Sequence, residues 1–352
     1  MKPTATLMNV QPSSPLDRPL LVSVCIPVYN GAEYLQAALD SVRRQTWTDL
    51  EILAVDDGSS DTSTEILAAA AGNDPRVRTI RNEHNLGLVG NWNRCLELAR
   101  GEWIKFLFQD DLIDPDCIER MLAANTANND IVICARRGLV EPTADPRQRQ
   151  FYTNGIVSLQ ELGLAGNVTP ERMALAMARL SPFYNFLGEP NCWLFRKSCL
   201  QEVGHFNPWL VQSCDLEFCL RFALTMPITF VPEPLATFRA HGASTTTRNM
   251  ERRFEYELLD PLLLTSLILA NPRHRRFLAQ HSVVLHKWQE QMHLRRQAIR
   301  NDPLAWQQFT AWVARNPGAS LGLGRLPMSS ALRLRISNFY WKIRHACKRR
   351  TP

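Results

Sequence analysis

The run Trp103-Ile-Lys-Phe-Leu-Phe108 is short, apolar and rich in β-branched and aromatic residues, and just past Gln109 it gives way to two adjacent carboxylates, Asp110 and Asp111. That composition predicts a buried strand, and Asp114-Pro115 beyond it predicts a helix with Pro115 at its first position. The aspartates therefore fall at the C-terminal edge of a strand. In open α/β sheets ligands bind at that edge, and paired hard oxygens there suit Mg²⁺ or Mn²⁺ carrying a phosphate. The same pair equally serves a turn whose aspartates cap the following helix. Asp56-Asp57-Gly58-Ser59-Ser60-Asp61 repeats the pattern, because the apolar run Leu50–Val55 leads straight into it. Two further groups could do chemistry. Asp215 lies in the first turn of a helical stretch, where an acid also simply complements the helix dipole. His241 follows the apolar run 235–238, a place where a lone histidine is ordinarily a surface residue.

These groups need a scaffold, and the chain alternates strand and helix patterns. Leu21–Val28 reads as a buried strand broken by Tyr29-Asn30-Gly31, and Leu35, Ala38, Leu39 and Val42 then share one helical face. A helix near 63–71, a strand at 77–81 and a helix running to Ala99 lead into the strand at 103–108. Alternation at this spacing predicts a mostly parallel α/β sheet with right-handed crossovers. No GxGxxG follows the first strand, so a diphosphate here lacks a glycine cradle and a carboxylate-bound cation would neutralise it instead. After Asp130–Ala135 the alternation stops, and residues 136–187 are mixed apart from a helical stretch near 170–180. It resumes with a strand at 188–196, a helix through Val203, a helix at 213–221 with Leu216, Cys219 and Leu220 toward the core, and short strands at 228–231 and 235–238.

Composition sets the outer bounds. Nine scattered cysteines without a CxxC pair fit a reducing compartment better than a disulfide framework or zinc site. Residues 1–20, rich in Pro, Ser and Thr, read as a disordered leader without a signal-peptide pattern, and the apolar run 258–270 is too short and polar to span a membrane. The net charge of +6 is unevenly distributed: after Asp302 there are nine basic and no acidic residues, so residues 1–302 carry 6 − 9 = −3. Leu332, Ile336, Phe339, Tyr340 and Ile343 share one helical face flanked by Arg333, Lys342, Arg344 and His345, the pattern of a basic amphipathic helix on an anionic membrane. A helix packed on the protein gives the same pattern. RNA binding is disfavoured, because no aromatic module accompanies the charge.

Six blocks, IPVYN (26–30), VDDGSSD (55–61), NLGLVGNWNRCLELARGEWIKFLFQDD (85–111), GEPNCWLFRKSCLQEVGHF (188–206), DLEFCLR (215–221) and FRAH (238–241), resemble in order and spacing the family-two inverting glycosyltransferases. The resemblance implies the GT-A fold, a mostly parallel sheet flanked by helices, here with a C-terminal helical extension. It divides the chain into a leader (1–20), a nucleotide-sugar-binding half (21–135), an acceptor-binding half with the catalytic base (136–245) and a helical, basic extension (246–352). It implies that Pro27, Tyr29, Asn30 and Asp57 line the nucleobase pocket with Glu33 and Asn93 at its border. Asp110 would contact the ribose, Asp111 the Mn²⁺ or Mg²⁺ ion, and His241 the metal or diphosphate with Arg239 beside it. Gly188 would belong to the loop closing over the diphosphate, and Asp215 would be the general base. Phe108 and Gln109 replace the acid that often precedes the aspartate pair, and Cys214 replaces the usual acid before Asp215.

The chemistry implied is transfer of a sugar from a nucleotide-diphosphate donor, a UDP-sugar above all, to a saccharide or lipid-linked hydroxyl. Asp215 takes the hydroxyl proton as the new bond forms, and one base without a covalent carboxylate implies inversion. The expected setting is surface polysaccharide biosynthesis by a cytoplasmic enzyme held peripherally on the inner face of the membrane, with no nucleic-acid partner. The rival of a different class is a non-catalytic sugar-nucleotide-binding or scaffold protein on the same fold, favoured by Cys214 and Phe108. Nucleotidyltransferases and NAD enzymes would need glycine-rich loops that are missing.

Overall fold

The computed structural model describes residues 21–316 apart from 158 and 182. The expected leader and the amphipathic segment 332–343 lie outside the described residues. The strands are β1 (Val22–Val28), β2 (Leu50–Asp56), β3 (Val77–Arg81), β4 (Trp103–Phe106), β5 (Leu112–Ile113), β6 (Ile131–Val140), β7 (Gly166–Val168), β8 (Trp193–Arg196) and β9 (Ile228–Ala240). They form one sheet in the order β3-β2-β1-β4-β8-β6-β9-β5, with β7 also on β9.

The helices are α1 (Ala32–Arg43), α2 (Ser63–Asn73), α3 (Gly87–Leu98), α4 (Cys117–Ala124), α5 (Pro146–Gln150), α6 (Pro170–Arg179), α7 (Leu200–Val203), α8 (Cys214–Ala223), α9 (Thr245–Glu251), α10 (Asp260–Ala270), α11 (Pro272–Gln280), α12 (Ser282–Asn301) and α13 (Pro303–Arg315).

The N-terminal part is the expected parallel unit. β1 pairs in parallel with both β2 and β4, and β2 with β3. Every residue of β1 is buried, as follows for a central strand covered on both faces. The apolar face of α1 buries Leu35, Ala38, Leu39 and Val42, as the spacing predicts. β8 then enters antiparallel between β4 and β6, so one sheet continues across the boundary expected near residue 135, which falls inside β6.

Two expectations about local structure fail. Pro115 lies in a turn and α4 starts at Cys117 after Asp116. The runs 228–231 and 235–238 are one strand, β9, which pairs in parallel with β6 through a register shift: Val231 faces Cys134 and Pro234 faces Ala135. Pro232 and Pro234 read as strand breakers because each lacks an N–H, yet a bulge tolerates the missing donors. The continuity has a consequence for the site. β5, which starts directly after Asp111, pairs with Thr237 and Ala236 of β9, so the carboxylate turn and the Arg239–His241 end of β9 meet.

The extension folds over this edge. α10 is buried on nearly all sides and contacts α8 and α12. Among the described residues no helix is long and apolar enough to cross a membrane.

Candidate active site

A cavity of about 1250 Å³ opens along the C-terminal ends of β1, β2 and β4 and extends to α8, α9 and α12. At one end it is lined by Pro27, Tyr29, Asp57 and Trp92. Asp57 is 2 % exposed, and its Oδ1 accepts hydrogen bonds from Asn82 Nδ2 and the Leu86 amide, both at 2.8 Å. Gln109 clamps this end: its Oε1 accepts from the Tyr29 amide at 2.8 Å and its Nε2 donates to the Tyr29 carbonyl at 3.2 Å. A Cβ on Gly31 would lie 2.2 Å from Gln109 Oε1, so the close approach needs glycine. Gln109, next to the Phe108 that stands in place of the expected acid, is therefore a brace between two loops.

Asn30, Glu33 and Asn93 do not line the cavity. Asn30, at φ 48°, has its Oδ1 accepting from the Ser60 amide at 2.8 Å and holds the VDDGSSD turn. Glu33 is exposed on α1. Asn93 spends both amide atoms on the Phe206 backbone, at 3.0 and 2.9 Å, and Asn91, two residues earlier on α3, takes the lining position.

The adjacent aspartates separate: Asp110 lines the cavity and Asp111 is buried beside it. Asp111 is 1 % exposed; its Oδ1 accepts from the Arg239 amide at 2.9 Å and its Oδ2 from Asn191 Nδ2 at 2.8 Å. Burial, with the negative charge of Asp110 beside it, pushes its carboxyl well above the usual range. It is walled off from the cavity as a buried tie between loops. Asp110 lines the cavity, and its Oδ2 lies 3.1 Å from His241 Nε2. The His241 ring packs against Tyr34 at 4.5 Å, and its Nδ1 is buried without a partner. Arg239 turns from the cavity: Nε donates to the Asp110 carbonyl at 2.9 Å, an Nη to Glu141 at 3.1 Å, and the guanidinium lies 4.8 Å over Tyr34. Arg239 thus fixes the Asp110 backbone.

Asp215 opens α8 and also lines the cavity. Its Oδ1 accepts from the Leu216 amide at 2.6 Å and its Oδ2 lies 3.5 Å from Asn185 Nδ2. Burial, followed by the charge of Glu189, raises its carboxyl to about 7. Glu189 also lines the cavity and is held by Tyr152 Oη at 2.7 Å and Arg136 Nε at 3.2 Å. Cys214 is buried, and its thiol leaves Asp215 without an adjoining carboxylate. Glu217 is buried against Arg221 at 3.0 Å, outside the cavity lining.

Gly188 is not over the cavity. It is buried at φ 79°, where a Cβ would lie 2.9 Å from Cys192 Sγ and 3.1 Å from an Arg136 nitrogen. Gly188→Ala is expected to destabilise the fold by about 1–3 kcal/mol, since the backbone is in the left-handed region and the Arg136 side chain has no slack; a denaturant midpoint unchanged from the parent would contradict this.

Sequence reasoning missed Glu189, Asn191 and Asp260. The first two stand in the GEPN block, where only the glycine was given a role. Asp260 interrupts an apolar run, and the structure shows why: fully buried, it accepts from the backbone amides of Val211, Gln212 and Ser213 at 3.0, 2.5 and 2.8 Å. The extension thereby fixes the segment leading into Asp215. Asp260→Ala leaves three buried donors unpaired and is expected to lower stability by about 3 kcal/mol or more. Residual activity of that variant should fall as well, which a melting curve alongside a turnover assay would check.

Among the described residues no cluster of three or more His, Cys, Asp or Glu side chains forms a closed cation cage. Asp110 presents one carboxylate at the cavity wall with the buried His241 imidazole 3.1 Å behind it, and a divalent cation held there would take its remaining ligands from substrate phosphates and water.

A mostly parallel sheet flanked by helices, with Asp57, Asp110 and Asp215 gathered in one cavity at its edge, has the architecture of the GT-A class. Residues 23–204 match glycosyl transferase family 2, so the chain belongs to that family and is a glycosyltransferase. The Mycobacterium tuberculosis protein MT1568, itself uncharacterised, is 32% identical over 268 residues, 76% of this chain and 80% of that one. The fold matches Staphylococcus aureus TarS in complex with UDP-GlcNAc at a TM-score of 0.55, with 18% identity over 74% of this chain and 71% of that one. It also matches the Pyrobaculum calidifontis mannosyltransferase PcManGT in complex with GDP-Man and Mn²⁺ at 0.52, with 15% identity over 84% and 80%.

Proposed function

We propose that this glycosyltransferase inverts: it moves a sugar from a UDP-sugar to a saccharide or lipid-linked hydroxyl, with Asp215 as the base. The observation that carries the reading is Asp215 in the same cavity as Asp57 and Asp110, with its carboxyl raised to about 7. A carboxylate of that basicity is well matched to accept a proton from a hydroxyl as the bond to the sugar forms.

In this reading the uracil sits by Tyr29 and Pro27 with its imide N–H toward Asp57. Asp110, with His241 behind it, would hold Mn²⁺ or Mg²⁺, the metal role that the resemblance gave to Asp111. The cation, when bound, supplies Lewis-acid stabilisation of the charge growing on the diphosphate leaving group. Asn185, 3.5 Å from Asp215 Oδ2, orients the base. Glu189 keeps the site negative and its base proton-hungry, while Arg136 and Tyr152 hold Glu189 in place. Glu189, the carboxylate whose charge reaches Asp215, is engaged by Tyr152 and Arg136 rather than free to act as a nucleophile, so displacement is direct and the anomeric configuration inverts.

The setting proposed is assembly of surface polysaccharide on the cytoplasmic side, with the basic C-terminal segment on an anionic membrane. A screen of UDP- and GDP-sugars with Mn²⁺ for nucleotide release, followed by NMR of the product anomer, tests the core of this. No turnover of any donor, or a product of retained configuration, would refute it.

Because the base works ionised, kcat/KM is expected to rise with pH and level off above about 7, the value of the Asp215 carboxyl. Glu189→Gln removes the neighbouring negative charge and should move that limb to lower pH. A profile flat from about pH 5 to about pH 8 would remove Asp215 from the role.

A further inference from the structure

The cavity wall is divided by charge. Asp57, Asp110, Glu189 and Asp215 stand on the sheet-edge side, whereas Arg147, Arg248, Arg252 and Arg295 line the side built from α5, α9 and α12. Only the first of these arginines has a carboxylate partner, Asp145 at 3.2 Å. Among the described residues Arg248, Arg252 and Arg295 form no ion pair, and Glu257, the acid nearest them in the lining, is engaged by Arg253 at 3.3 Å. An unneutralised group of cations facing a cavity is a site for an anion.

We infer that the acceptor carries an anionic group, a carboxylate of an acidic sugar or a phosphate ester, and that Arg295 and Arg252 receive it while its hydroxyl meets Asp215. This rests on the glycosyl-transfer reading above and names the substrate class of its second site. Arg295 is the anchor. Its guanidinium lies 5.1 Å over the Phe183 ring and an Nη donates to Gln291 Oε1 at 2.6 Å, while its Nε is buried with no hydrogen-bond partner among the described residues. Burial holds it below the ordinary arginine pKa, and it has no carboxylate partner among the described residues. Phe183 is two residues from Asn185, which touches Asp215, so the cation belongs to the base's side of the cavity and not to Asp57's side. Arg252 ends α9, and Tyr256 in the π-type turn that follows lines the same wall. Aromatic faces beside fixed cations suit a sugar ring bearing a negative substituent.

The test uses the full chain with UDP and Mn²⁺ present and three probes that share one octyl pyranoside frame and differ in the group on C5: octyl glucoside, octyl glucuronide and octyl glucoside 6-phosphate. Calorimetric titration should show at least one anionic probe binding about tenfold or more tighter than the glucoside, the usual worth of a charge-assisted contact. The preference should shrink at about 0.5 M salt, where screening acts within a few ångströms. Whether glucuronide or phosphate wins identifies the source of the anion. Arg295→Gln should erase the preference and Arg295→Lys retain most of it, with Arg252→Gln as a second, surface variant that leaves the fold alone. UDP affinity should be equal in all of them. Three probes that bind alike, or none that binds, overturn the inference. So does an Arg295→Gln variant that loses UDP affinity in step with the anionic probe, because the arginine then serves the donor diphosphate. An intact anion preference with no donor turned over would instead strike the glycosyl-transfer reading alone.

Discussion

Asp215→Asn is expected to lower the rate of sugar transfer by about 10²–10⁴, the usual worth of a positioned general base, while UDP affinity stays at the parental value. The amide keeps the shape of the carboxyl and its acceptor for the Leu216 amide, but cannot take a proton. The same variant makes a second, opposite prediction about stability. The Asp215 carboxyl sits near 3.8 in the unfolded chain and at about 7 in the folded one, so between those values the folded state holds a proton that the unfolded state has released. Stability contributed by this group is therefore present at low pH and is lost as pH rises through about 7. Asn carries no such liability. At pH above about 7.5 the variant should be more stable than the parent by roughly 2–4 kcal/mol, and at pH below about 4 the two should converge. Denaturant titrations at the two extremes would measure this; near-normal turnover, or equal stability at the higher pH, would take the base role away from Asp215.

Asp110→Asn and Asp111→Ala are expected to fail in different ways, although the residues are neighbours. The first removes the cavity-facing carboxylate beside His241 and should abolish transfer and the Mn²⁺-dependent part of UDP binding, leaving the melting transition near the parent's. The second leaves the Arg239 amide and the Asn191 side chain without their acceptor inside the fold. Each buried, unpaired donor costs about 1–3 kcal/mol, so stability should drop by about 2–5 kcal/mol, with activity falling as a consequence. UDP affinity measured with and without Mn²⁺, alongside thermal melts, separates the two. If Asp111→Ala melts like the parent while Asp110→Asn unfolds, the assignment of the pair is inverted; if the parent binds UDP equally with and without Mn²⁺, no cation acts there.

Much of the scaffold was legible in the chain because its rules are local. β1 is an unbroken apolar run because both its faces are covered, and α1 shows its buried face at helical spacing, so both can be read without knowing what packs on them. The order of motifs placed Asp57, Asp110 and Asp215 at one site for the same reason: each ends a strand or starts a helix at the edge where parallel sheets bind ligands. The fold class follows from that much, and the family from the order and spacing of the six blocks.

Facing and contact were a different matter. Asp110 and Asp111 lie in a tight turn closed by the Asp111 amide donating to the Phe108 carbonyl at 3.1 Å, and which of them meets the cavity depends on the phase at which the chain leaves that turn. Only the pairing of β5 with β9 sets that phase, and β9 is recognisable as one strand only when β6 is beside it to absorb the prolines in a bulge. Asn91 and Asn93 on α3 differ in the same way, one turned to the cavity and one to Phe206. Arg239, Gln109 and Asp260 were unreadable as braces because their partners lie far off in the sequence, and a residue's type says what it can bond but not what the fold brings to it. The sequence by itself determined the layers, the sheet edge and the set of groups able to do the chemistry, through periodicity and turn signals spanning a few residues. The tertiary structure decided which of those groups face the cavity, how burial raises the Asp215 carboxyl, and that the helical extension lines that cavity with arginines, because each of these is fixed by long-range pairing and desolvation that no local pattern encodes.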